Sequence, residues 1–115
     1  MCPTHVHQAY DRETLEAWAQ SGVTTVRDSG SDGDPSDLYA FRDEASQDRR
    51  YARLVALGPI ITIPGGYGSR PVTSIEHARQ MVTALLDDGA DLIKIGIEDD
   101  LQGRRWPMLS AEEIT

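Results

Sequence analysis

The stretch ALLDDGADLIKIGIEDD, residues 84–100, decides the fold. It closes an amphipathic helix on Gly89 and passes at once into residues 91–97, a run apolar at nearly every position except Lys94. Apolar residues at consecutive rather than alternating positions mark a strand buried on both faces, the condition of a parallel sheet covered by helices. The preceding helix carries Ile75, Ala78, Val82, Leu85 and Leu86 in one stripe, and Thr73 with Glu76 predicts a capping box at its start.

Toward the N-terminus the same alternation repeats. Residues 52–57 predict a strand, preceded by a helix over 35–48 whose Leu38, Phe41 and Ala45 face inward. Residues 23–27 predict another strand, ending in the polar loop 28–34. Before it a helix over 12–21 has Asp11 as N-cap, Leu15, Trp18 and Ala19 on one face, and Gly22 as its left-handed stop. A short first strand covers residues 4–8. Toward the C-terminus, Ser110 and Glu113 form a second capping box that announces a helix just before Thr115.

This order predicts an α/β fold of parallel βα units in one domain, residues 1–115. A complete (β/α)8 barrel of the TIM type needs about 200–250 residues. The expectation is therefore about half such a barrel, with open sheet edges covered by oligomerisation, as a homo-oligomer or with a complementing chain.

Composition sets bounds on partners. With 39% apolar and 26% charged residues the chain describes a soluble globular domain, and 19 acidic against 11 basic side chains give a net charge of −8. That charge opposes phosphate backbones and anionic lipid, so neither nucleic acid nor membrane is an expected partner. No apolar run approaches the roughly 18–20 residues of a membrane span, and no basic flank and apolar core mark a signal peptide. The expected location is cytoplasmic, in keeping with one cysteine, Cys2, which cannot form an internal disulfide.

Several residues carry chemistry. His5 and His7 lie two apart on a strand, so their imidazoles project to the same side and can share one metal ion. A catalytic zinc usually takes three protein ligands, and Cys2, in the spacing C-x-x-H-x-H, offers a further one. The alternative leaves the two histidines without a role in a terminal segment and Cys2 as a small hydrophobe. Lys94 places an ammonium inside an apolar run, where it must pair, lose its proton or be modified. A Schiff base, a general base and a carbamate bridging metals all stay open, as does a stem that is covered while its head reaches solvent.

The loop GPIITIPGGYGSRP, residues 58–71, holds Gly65, Gly66 and Gly68 but lacks the Lys-Ser or Lys-Thr of a phosphate-binding loop. It follows a strand, where barrel enzymes place substrate-contacting loops, and Tyr67 and Arg70 can there orient a polar or carboxylate group. The same residues also suit a merely irregular connection. Glu98, Asp99 and Asp100 suit a solvated turn or a face toward a metal, and Asp28 offers its carboxylate to loop amides.

Four phrases then occur in order: the His5/His7 pair, SGVTTVRDSG at 21–30, GPIITIPGGYG at 58–68 and GADLIKIG at 89–96. Together they resemble the N-terminal half of the catalytic barrel of the amidohydrolase superfamily, in the branch of imidazolonepropionase and the Xaa-Pro dipeptidases. LSAEEI, residues 109–114, resembles the start of the next barrel helix. The resemblance implies that His5 and His7 bind a divalent metal, usually zinc. It also implies that Lys94 is carboxylated and bridges two ions, and that metal-activated hydroxide attacks a carbon-nitrogen bond of a small amide or peptide-like substrate.

The chain departs from the family pattern in three respects. Pro3 stands where the family has aspartate, and Tyr67 where it often has histidine. The family's later metal-binding histidines and its aspartate general base have no counterpart up to Thr115, so no catalytic base is identified. The expected function is a metal-dependent hydrolase represented by a truncated chain. The alternatives are an inactive derivative serving as an oligomeric structural or binding module, and a simple zinc-binding protein.

Overall fold

The structure is a computed structural model that describes residues 5–115. Cys2, Pro3 and the beginning of the first expected strand lie outside the described residues. In chain order the elements are α1 (Arg12–Gln20), β1 (Thr25–Asp28), α2 (Pro35–Ala45), β2 (Arg53–Ala56), β3 (Ile60–Thr62), β4 (Arg70–Pro71), α3 (Ile75–Asp88), β5 (Lys94–Ile95), β6 (Asp100–Leu101), β7 (Arg104–Arg105) and α4 (Ala111–Ile114). No helix among the described residues is long and apolar enough to cross a membrane.

The helices begin and end where local chemistry dictates. Asp11 caps α1 by accepting from the Thr14 N–H at 2.8 Å, and Asp34 caps α2 by accepting from Ser36, with Pro35 in the first turn. Gly89, at φ 111°, ends α3 in the left-handed conformation, as expected. The capping box of Ser110 and Glu113 forms in full. The box expected from Thr73 and Glu76 is displaced by one residue. Ser74 is the N-cap and accepts from the His77 N–H at 3.1 Å, while the His77 ring nitrogen Nδ1 lies 3.3 Å from the Thr73 N–H. An imidazole reaches back where a glutamate was expected.

The long strands pair in parallel. Val6 bridges Asp28 in parallel, with its N–H donating to Arg27 O at 3.1 Å and its carbonyl accepting from Ser29 at 2.8 Å. β1 pairs with β2 from Thr25 opposite Arg53 to Asp28 opposite Ala56, and β3 lies between β4 and β5, parallel to both. The parallel α/β pattern therefore holds. One core cluster, including Leu15, Val23, Val26, Ala45 and Leu54, sits between α1, α2 and the β1–β2 pair. A second, including Ile61, Val72, Ala78, Leu85 and Leu109, lies under α3.

Two elements differ from expectation. The strand expected over 91–97 shortens to Lys94–Ile95, and Leu92 and Ile97 are 47% and 51% exposed. Among the described residues β5 pairs only with β3, so the burial on both sides that its composition announces is not reached. The loop 58–71 contains β3 and β4, because the chain resumes pairing once it has turned at Gly58, φ 75°, and Pro59. Starting at Asp100, the last of the acidic residues 98–100, β6 and β7 form an antiparallel hairpin. Gln102 and Gly103 carry φ of 60° and 69° at its tip, the paired positive angles of a type I′ turn.

Candidate functional site

In place of the strand expected over residues 4–8, the described residues form a single bridge at Val6, and the extended segment around it delivers two imidazoles to one point. His5 Nε2 and His7 Nε2 are 3.1 Å apart, and the rings meet edge to face at 5.0 Å between centroids. Two imidazole nitrogens on a tetrahedral zinc stand about 3.3 Å apart, given Zn–N bonds of about 2.0–2.1 Å. His7 Nδ1 lies 2.6 Å from the Gly30 carbonyl oxygen. A carbonyl only accepts, so Nδ1 carries the proton and, in the neutral ring, the Nε2 lone pair is left facing His5. Partial desolvation first, then the positive charges of Lys94, His7 and Arg27, hold the His5 imidazole below its ordinary pKa despite the opposing Asp28 carboxylate. His5 is therefore neutral at pH 7, the state in which histidine binds metal.

A buried carboxylate holds this strand in place. Asp28, fully buried, accepts from the Ala9 N–H at 2.8 Å, the Gly30 N–H at 3.1 Å and the Ser31 hydroxyl at 2.9 and 3.0 Å. Ser31 Oγ in turn accepts from the Gln8 N–H at 3.1 Å, where Gln8 takes φ 58°. Asp28 offers its carboxylate to loop amides, as its place at a strand end suggested. The same interactions lock the residue after the histidine pair to the loop whose Gly30 orients His7. Gly30 sits at φ 135° with Ile60 pressed against the position a β-carbon would take.

Lys94, half-buried on β5 and paired in register with Ile60, contributes charge to the His5 environment. Its strand is fastened from below: Arg42 Nη1 donates to the Gly89 carbonyl at 2.6 Å and to Asp91 Oδ2 at 3.0 Å, while Asp91 Oδ2 accepts from the Ala56 N–H at 2.8 Å. Among the described residues, no three His, Cys, Asp or Glu side chains gather as a metal-binding group. The candidate donor set is thus His5 and His7, with Lys94 nearby in charge terms.

Beside the histidines a cleft of about 690 Å³ opens. His7, Gln8, Ser31, Leu38, Ile60, Tyr67 and Trp106 are among the residues that line it. Tyr67 is thereby brought to the cleft with His7. Arg70 is not: its Nη2 donates to the Gly33 carbonyl at 3.2 Å. Tyr10 also lines the cleft, and burial, reinforced by the charge of Asp28, pushes its phenol well above its ordinary pKa, so it stays protonated. Trp106 escaped the sequence reading. Its only local signal was the turn-forming Gln102-Gly103 just before it, which places the ring against Tyr67 at 5.6 Å and 82°.

Two solved structures are similar in fold over 99% of the chain. One is the Bifidobacterium longum protein called "putative prolidase", 27% identical with a TM-score of 0.71, of which the chain covers 30%. The other is an amidohydrolase, 21% identical with a TM-score of 0.76, of which the chain covers 38%. The chain has an amidohydrolase-like fold. It spans about a third of the length of these structures. No family model matches the sequence, and no curated protein matches it either.

Proposed function

We propose that these residues belong to the catalytic barrel of a metal-dependent amidohydrolase acting on the carbon-nitrogen bond of a small amide or peptide-like substrate. The observation that carries this is the convergence of His5 Nε2 and His7 Nε2 at 3.1 Å, with His7 oriented by the Gly30 carbonyl. The donors fit a borderline-soft divalent ion such as zinc: two imidazoles, one of them fixed in tautomer by its neighbour. When bound, such an ion supplies Lewis acidity toward an amide carbonyl. Lys94, on β5, is the residue that would join the donor set as its carbamate. The chain's own residues orient His7, anchor its segment through the buried Asp28 and present a cleft for the substrate.

The expected outcome is that the 115-residue chain takes up zinc in equilibrium dialysis, and that H5A/H7A loses that uptake. Unchanged uptake in the double variant overturns the metal assignment. Hydrolysis of simple amides or dipeptides above the rate of free zinc supports catalysis by this chain, and its absence rejects autonomous catalysis. The exposed Leu92 and Ile97 beside β5 favour the further proposal that a second copy of the chain covers this edge of the sheet.

A further inference from the structure

The cleft has a chemically distinct wall that the metal assignment does not use. Tyr67 arrives from the glycine-rich loop and Trp106 from the end of the β6–β7 hairpin, two segments far apart in sequence. Their rings meet edge to face at 5.6 Å, the arrangement aromatic quadrupoles prefer. Each is held by more than the other. The Trp106 indole N–H donates to the Leu101 carbonyl at 3.2 Å and its backbone N–H to Asp99 O at 3.0 Å, so the polar end of the indole is already satisfied. The Arg104 guanidinium stacks over the indole, 4.1 Å from its centroid. The Tyr67 backbone rests on Gly96, where a β-carbon would overlap the Tyr67 carbonyl oxygen.

Leu38 and Ile60 extend the apolar surface toward His7. Among the described residues, no lysine or arginine lines the cleft and Asp32 is its one carboxylate. Asp32 repels a carboxylate side chain. The surface suits a flat or bulky apolar group that stacks on a preformed aromatic pair and loses little ordering entropy in doing so.

We infer that Tyr67 and Trp106 form a selectivity wall, with Trp106 the specificity-determining residue, that takes an uncharged aromatic or large apolar side chain of the amide ligand. That the ligand is an amide rests on the amidohydrolase reading, but the binding predicted does not require metal.

The test uses the full chain, metal-free, with N-acetyl-phenylalaninamide, N-acetylglycinamide and N-acetyl-glutamate amide as probes in ligand-observed NMR titrations. The phenylalanine probe is expected to bind at least about tenfold more tightly than either of the others, with W106A abolishing the difference and W106F preserving it. Equal affinity for the three probes, or a preference unchanged in W106A, overturns the inference. If W106A unfolds, W106F together with Y67A carries the test: the preference must persist in the first and fall in the second. Zinc uptake measured on the same wild-type sample separates the two readings, since uptake without aromatic preference rejects only the wall, and aromatic preference without uptake rejects only the metal site.

Discussion

At the scale of single residues, Asp28 shows how a polar group in the core sets up a site it does not itself touch. Its carboxylate accepts from three donors on two segments, the Ser31 hydroxyl being shared between both its oxygens. Truncating it leaves the Ala9 and Gly30 amides and the Ser31 hydroxyl buried without their acceptor. D28A is therefore expected to lose about 2–4 kcal/mol in urea unfolding. A loss below about 1 kcal/mol would show that the loop finds other partners. Asp48 is a surface counterpart. Hydrogen bonds from Arg50 hold its carboxyl down at about 2. Because this folded-state value lies below that of the unfolded chain, its stabilising contribution is present above about pH 4 and disappears as pH falls through about 2. Carboxyl-carbon NMR should show that low midpoint, and R50A should return it toward the ordinary aspartate value.

Among elements, the Arg42 side chain of α2 joins the end of α3 to the start of β5 and, through Asp91, to β2. The guanidinium is 14% exposed and also lies 5.4 Å from the Tyr39 ring centroid. R42A is expected to cost about 1–3 kcal/mol of unfolding free energy. R42K should recover only part of that, because an ammonium lacks the fork that serves several acceptors at once. A wild-type midpoint in R42A would show that Asp91 and Ala56 suffice.

The helices were legible in the sequence because their signals are local: Asp11, Asp11's partner Thr14, Gly89 and the Ser110–Glu113 pair lie within a turn of the ends they define. The strands were legible in kind but not in extent. Whether Leu92 and Ile97 are covered depends on what lies beside β5, which their own identity does not state. The same division holds in the site. His5 and His7 announce themselves by a spacing of two, whereas the Tyr67–Trp106 contact depends on a hairpin whose Gln-Gly turn is a weaker signal than Asn-Gly.

For the molecule as a whole, shape departs from that of an ordinary domain of this length. Its principal extents are 42 × 34 × 20 Å and its radius of gyration is 15.2 Å, against about 13 Å for a compact chain of this size. Its accessible surface is 7077 Å², against roughly 6,200 Å² for a folded monomer of this mass. The excess is a flat, open form, and exposed Leu86, Leu92, Ile97, Met108 and Ile114 contribute to it. Sedimentation equilibrium should accordingly report a dimer or larger, shifted toward monomer in L92E/I97K. A strictly monomeric wild-type chain would reject the second copy as the cover.

The seating of the Tyr67 carbonyl on Gly96 has a mechanical consequence. Main chain rests on main chain there, with no side chain between to bend or repack. The spacing between the loop that bears Tyr67 and the strand that bears Lys94 is consequently a gauge cut into the backbone, one that no change of side-chain rotamer can reset.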